Sequence, residues 1–115
     1  MTERTGIELA RVLRPGGMLV AIEMEFTHNT ILCLPNELKE SWSTMDPLMA
    51  YFCSGGGWTT LLERVGFEIQ EDIVFGQRTL RAEDDSGLAK VALQHGITLD
   101  VEFHYIVATK PTGPT

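Results

Sequence analysis

The sequence predicts a mixed α/β fold, and three observations lead to this view. A segment with helical periodicity is followed by a tight turn and then by a strand that is apolar on both faces, over LARVLRPGGMLVAIEM at residues 9–24. Further along, a leucine-rich helical segment leads into a strand of alternating character. A last segment, VEFHYIVAT, is rich in β-branched and aromatic residues. Helical and extended segments in this succession are typical of helices that cover a sheet.

The composition is that of one domain, residues 1–115, with a modest core, since the chain has 115 residues and 43% hydrophobic content. A net charge of -7 disfavours a nucleic-acid-binding surface, which needs clustered lysine and arginine. The longest apolar run, residues 18–22, is far shorter than the roughly 20 residues that span a membrane. Cys33 and Cys53 form no CxxC pair and follow no secretory leader, which predicts reduced thiols. We therefore expect a cytoplasmic protein that binds neither nucleic acid nor membrane.

The first helix is predicted over residues 5–13, with Leu9, Val12 and Leu13 on its apolar face. The Pro-Gly-Gly turn ends this helix and lets the chain reverse direction. The strand that follows, residues 18–24, is predicted to be central in its sheet, because a strand that is apolar on both faces needs a neighbour on each side.

Polar residues follow this strand at the point where it ends. Ligands of open α/β sheets bind just beyond the carboxyl ends of strands, which here means Glu23, Glu25 and His28. A histidine can act as a general base near neutral pH, and a carboxylate can orient it. We expect His28, Glu23 and Glu25 to form the catalytic set, the alternative being a solvated loop with three polar residues.

Residues 29–57 are predicted to be a helical insertion. A short helix is expected over 38–42, and Asp46 followed by Pro47 predicts a cap and the first position of a second helix. The insertion is either a lid that shapes a substrate site or a helical pair that covers the sheet. The glycine run SGGG at 54–57 lacks the lysine and the spacing of phosphate-binding loops, so we interpret it as a hinge or a helix start.

The next helix is predicted over residues 58–65, with Gly66 as the left-handed residue that ends it. Residues 67–75 then alternate as in a half-exposed strand, which predicts that Ile69 and Ile73 lie on the same side.

Three features complete the chain. A helix is predicted over 84–96 with Asp85 or Ser86 as its cap, and a strand is predicted over 101–109. Residues 111–115, PTGPT, are predicted to be a disordered tail.

The histidines and cysteines do not have the spacing of a metal site, since the one short pair is His28 and Cys33. His104, between two aromatic residues, is better explained as a hydrogen-bonded residue of a sheet. The GxSxG motif of a serine nucleophile is absent from the sequence. We therefore expect no metal and no acyl transfer.

The string ELARVLRPGGMLVAIE resembles the helix, PGG turn and fifth strand of class I S-adenosylmethionine-dependent methyltransferases, especially the small-molecule branch. WTTLLERVGFEIQEDIVF is similar to the following helix and sixth strand, and VEFHYIVATKP to the terminal seventh strand. The resemblance implies a partial Rossmann-like sheet: helix, central strand, helical insertion, helix, then two further strands, the last antiparallel. The connection over residues 77–100 is longer than the tight hairpin that is typical between the sixth and seventh strands.

The resemblance implies S-adenosylmethionine as cofactor and a small molecule as methyl acceptor. The family's cofactor-binding residues follow its first four strands, and nothing in this sequence matches them, the run at 54–57 included. We therefore assign no cofactor-binding residue. We expect the C-terminal, substrate-side half of a methyltransferase, inactive as an isolated chain and an enzyme only when a cofactor-binding half completes it.

The resemblance also implies a bare sheet edge along residues 18–24, because the strands expected on one side of it are absent from the sequence. A flat apolar edge is a template for another chain. We expect a homo-oligomer or a partner chain at this edge. The alternative function is a non-catalytic protein-interaction or oligomerisation module derived from a methyltransferase scaffold.

Overall fold

The computed structural model describes residues 2–45, 47–81 and 88–112. The fold is mixed α/β, as predicted. No helix in these three ranges is long and apolar enough to cross a membrane. The elements in chain order are α1 (Glu3–Val12), β1 (Met18–Phe26), α2 (His28–Cys33), α3 (Asn36–Met45), α4 (Pro47–Cys53), α5 (Trp58–Arg64), β2 (Glu68–Thr79), α6 (Leu88–Gln94) and β3 (Asp100–Thr109).

The strands of the described residues form a three-stranded sheet in the order β1-β3-β2. β3 is antiparallel to both neighbours, so β1 and β2 run in the same direction on either side of it. The prediction that the last strand is antiparallel is confirmed. The prediction of a central β1 is wrong within this sheet, because β1 pairs with β3 alone and forms an edge.

The two faces of β1 differ in burial. Leu19 and Ala21 are half-buried in the core, whereas Val20 and Ile22 are 50% and 65% exposed. The apolar pattern predicted burial on both faces. The second face is exposed because no described element covers it.

A β-bulge changes which side chains of β2 face the core. The register with β3 shifts between Ile69 and Glu71, so that Ile69 lies opposite Ala108 but Ile73 lies opposite Tyr105. The predicted alternation, with both isoleucines on one side, is therefore wrong. The extra residue of the bulge turns Ile73 to the exposed face, while Ile69 packs against the core.

Helix α5 supplies much of the core beneath the sheet. Trp58, Leu61 and Leu62 share one buried face, as predicted, and pack with residues of β3. Gly66 has φ 108°, so the predicted left-handed end of this helix is also confirmed. The first helix likewise ends before the Pro-Gly-Gly turn, where Gly16 has φ 81°.

Residues 28–53 carry α2, α3 and α4. Trp42 of α3 is 2% exposed and stacks on Phe26 at the end of β1, with ring centroids 6.1 Å apart. Pro47 is the first residue of α4, as predicted, and Asp46 lies outside the described residues. The contact between Trp42 and Phe26 therefore anchors the insertion to the end of β1.

Part of the predicted helix over 84–96 is seen as α6, and Gly96 follows it with φ 73°. The predicted caps Asp85 and Ser86 lie outside the described residues, as do residues 113–115 of the predicted tail. Pro111 and Thr112 have no regular secondary structure.

Candidate functional site

A cavity of about 170 Å³ lies where β1 ends and α2 begins. A wider cleft of about 660 Å³ shares His28 and Glu102 with it. This region is the carboxyl end of β1, where the sequence predicts a site. The residues that line the smaller cavity are Glu25, Phe26, His28, Ile31, Phe52, Gly55, Gly56 and Glu102.

The structure brings two of the three predicted site residues to this cavity. His28 is exposed at the start of α2, and the Glu25 side chain is 18% exposed on the inner face of β1. Glu23 lies two residues earlier on the same face, opposite His104 in the strand register, and does not line the cavity. The predicted set is therefore divided between the cavity and the sheet.

His28 is the first residue of helix α2, which positions it, so the alternative of a solvated loop does not apply to this residue. The Thr27 hydroxyl accepts a hydrogen bond from the backbone N–H of Thr30 at 3.2 Å, which caps the helix. A threonine directly before His28 is the sequence signal that could have revealed this start.

His104 is the centre of a buried polar cluster that sequence reasoning did not include in the site. Its ring is 7% exposed, and Nδ1 lies 2.7 Å from Oδ1 of Asp72. Its Nε2 lies 3.2 Å from Oε2 of Glu102 and 3.5 Å from Oε1 of Glu25. Each strand contributes to the cluster, and His104 is the hydrogen-bonded sheet residue that the sequence predicted.

The cluster shifts the pKa values of two of its members. Burial alone would lower the pKa of His104, but the hydrogen bond to Asp72 and the charges of Glu25 and Asp72 outweigh it, and the pKa is raised. Burial also raises the pKa of Glu25, and His104 and the Trp58 N–H only partly oppose this rise. Both shifts favour protonated side chains at the edge of the cavity.

Glu25 also holds the start of α5. Its Oε1 accepts a hydrogen bond from the Trp58 backbone N–H at 3.3 Å, and the Trp58 indole N–H donates to the Met24 carbonyl at 2.9 Å. A Cβ on Gly57 would lie 2.7 Å from Oε2 of Glu25, so the close approach of this carboxylate requires glycine. The candidate catalytic residue Glu25 therefore also has a structural role.

The SGGG segment does not form an open cradle. The Tyr51 ring occupies the space that a Cβ on Gly56 would take, and its hydroxyl donates to the Gly57 carbonyl at 3.0 Å. The same hydroxyl is hydrogen-bonded to Thr60. Side chains of this chain therefore fill the space beside Gly56 and Gly57, whereas a Cβ on Gly55 would meet nothing within 4 Å. Gly57 is the N-cap of α5, so the interpretation as a helix start is confirmed.

Among the side chains that the structure describes, no group of three or more histidines, cysteines and carboxylates could hold a metal ion. Comparisons with protein families, with curated proteins and with solved structures found no match to this chain. The geometry of the site indicates which chemistry it can support. Its carboxylates can attract a positive charge, and its exposed histidine can accept a proton at the mouth of the cavity.

Proposed function

We propose that this chain is the substrate-side portion of a cytoplasmic, S-adenosylmethionine-dependent methyltransferase that acts on a small molecule. The order β1-β3-β2 carries the proposal, because the reversed β3 lies between two strands of the same direction. The resemblance implies that the strand at residues 18–24 pairs with the terminal strand and that the terminal strand is antiparallel, as β1 and β3 are here. Elements α1 and β1 coincide with the segment that resembles the family's helix, turn and fifth strand.

The position of the cavity also supports this function. It lies at the carboxyl end of β1, where the resemblance places the methyl acceptor. Enzymatic transfer to a bound acceptor depends mainly on holding the acceptor in place, and proton removal is secondary. In this proposal the side chains of Phe26 and Phe52 pack against the acceptor. His28, which lines the same cavity, accepts its proton.

The cofactor would supply the methyl group, and no segment of this sequence matches the family's cofactor-binding segments. We therefore propose that polypeptide outside these 115 residues, in the same chain or another, holds S-adenosylmethionine. The isolated chain should be inactive for this reason.

Calorimetric titration tests this division of roles. The isolated chain should give no heat with S-adenosylhomocysteine at millimolar concentration. Fusion of the first four strands of a small-molecule class I methyltransferase ahead of Glu3 should create binding in the micromolar range, and the matched control is the same fusion with Ala21→Pro in β1. A well-folded fusion that binds no S-adenosylhomocysteine would count against the proposal, and so would micromolar binding by the isolated chain.

The second candidate function, a protein-interaction or oligomerisation module without catalysis, is favoured by the exposed face of the sheet. Six large apolar side chains are at least 43% exposed there, and together they present on the order of several hundred Å². A stable dimer buries about 800 Å² on each partner, so this face is large enough to form a substantial part of such an interface. The side chains are Met18, Val20, Ile22, Met24, Ile73 and Phe75.

Sedimentation equilibrium tests self-association through this face, and the titration of the fusion with S-adenosylhomocysteine tests the methyltransferase function. The module predicts a dimer at micromolar concentration without any cofactor, and Ile22→Lys should convert it to a monomer. Leu32→Lys is the matched control, because Leu32 is equally exposed, at 66%, but lies on α2. A monomeric wild-type chain at these concentrations would eliminate the module as a self-associating unit.

A further inference from the structure

We propose that the cavity at the end of β1 binds a small organic cation, namely the ammonium group of an amine with a short apolar or aromatic stem. Under the proposed function this amine is the methyl acceptor: its ammonium group first passes a proton to His28, which lines the same cavity, and the neutral nitrogen then takes the methyl group from the sulfonium of the cofactor, leaving a thioether. Only that assignment rests on the proposed function. The recognition itself is argued from the walls of the cavity.

The cavity is lined by negatively charged side chains. Glu25 and Glu102 line it, and Asp72 lies behind them on the other side of the His104 ring. If His104 is protonated and Glu25 is neutral, the two remaining carboxylates still leave one net negative charge. If Asp72 and Glu102 are ionised, every other protonation state of His104 and Glu25 also gives the cluster a net charge of -1 or below. A ligand with one positive charge therefore compensates the cluster in every such state.

Part of the cavity lining is apolar. Phe26, Ile31 and Phe52 line the same cavity, and Phe52 is held in place by an edge-on contact with Trp58 at 5.3 Å between ring centroids. Aromatic rings attract cations through their faces and also bury hydrocarbon. A lining with both acidic and aromatic side chains matches a molecule that has an ammonium group at one end and an apolar stem at the other.

The size of the cavity also fits such an amine. The cavity volume of about 170 Å³ is slightly larger than the roughly 150 Å³ engineered cavity that holds benzene. One ring with an aminomethyl group therefore fills it. A carboxylate or phosphate of the same size would meet Glu25 and Glu102, and like charges at short range repel.

Three probes of similar size test this inference by their binding to the full chain. They are benzylamine, benzyl alcohol and benzoate. Two-dimensional NMR at pH 7 should show saturable benzylamine shifts at the backbone amides of Glu25, His28 and Gly56. Benzyl alcohol should bind about tenfold more weakly, since an interaction with a charged group is worth about that factor. Benzoate should cause no saturable shift.

Glu102→Gln keeps the shape of the side chain and removes one charge, so it should weaken benzylamine binding about tenfold and leave benzyl alcohol unchanged. Glu63→Gln, on the exposed side of α5, is the matched control and should change neither. Equal affinity for amine and alcohol would overturn the inference. If Glu102→Gln does not fold, the wild-type comparison of the three probes still decides it.

These measurements use no methyl donor. Loss of amine selectivity would leave the proposal of a methyltransferase sheet standing, and a fusion without cofactor binding would leave amine recognition standing.

Discussion

The indole of Trp58 offers a sharp test of how α5 is attached to the end of β1. Trp58 is 3% exposed, and its indole N–H donates to the Met24 carbonyl at 2.9 Å. Trp58→Phe removes this donor and leaves a carbonyl without it, which costs about 1–3 kcal/mol. The smaller ring also leaves a void that costs about 1 kcal/mol. We expect a loss of about 2–4 kcal/mol in the free energy of unfolding.

The matched control is Trp42→Phe. Trp42 is equally buried, at 2% exposed, and stacks on Phe26, and no hydrogen bond of its indole is seen within the described residues. This variant should lose only the volume term, about 1 kcal/mol. Urea unfolding followed by circular dichroism at 222 nm measures both variants without relying on tryptophan fluorescence. Equal losses within about 0.5 kcal/mol would refute the hydrogen bond's contribution.

Three further predictions concern the cluster, the joint before α5 and the core. The pKa of His104 is raised in the fold, so its protonation contributes stability that is fully present below the ordinary value of 6.5 and is lost as the pH rises through the folded-state pKa. Urea midpoints should therefore fall from pH 6 to pH 9 in the wild type and fall less in His104→Gln. Gly57→Ala should displace the Glu25 carboxylate from the Trp58 N–H and cost about 0.5–1.5 kcal/mol in thermal unfolding, whereas Gly6→Ala, within α1, should be neutral or stabilise by up to about 1 kcal/mol. Leu62→Ala, at a site with 0% exposure, should cost about 2–5 kcal/mol in urea unfolding, against less than about 0.5 kcal/mol for Leu32→Ala.

Features set by nearby residues could be predicted from the sequence. The buried face of α5 depends on apolar residues three and four apart, and its end depends on a glycine that adopts a left-handed conformation. The start of α4 at Pro47 depends on the fixed φ of proline. In each case the physical cause lies within a few residues of the effect.

The cluster around His104 could not be predicted in this way. Asp72 reaches the ring only because the bulge after Ile69 moves the later residues of β2 by one position against β3. Glu25 reaches it only because β1 is the other neighbour of β3. Strand order and register are not encoded in a local pattern, so the sequence could indicate that Glu25 lies near the end of β1 but could not bring His104 next to it.

The order of the strands has a consequence for biosynthesis. β1 and β2 are synthesised first, but each pairs only with β3 among the described strands, and Met18 finds its partner at Thr109. No part of the sheet can form on the ribosome until residues 100–109 have emerged, and contacts so distant in sequence form slowly. During this interval the apolar residues of β1 are open to other nascent chains, which favours aggregation. A premature stop codon before residue 100 would therefore remove the strand that joins both others, and the product would lack a sheet altogether.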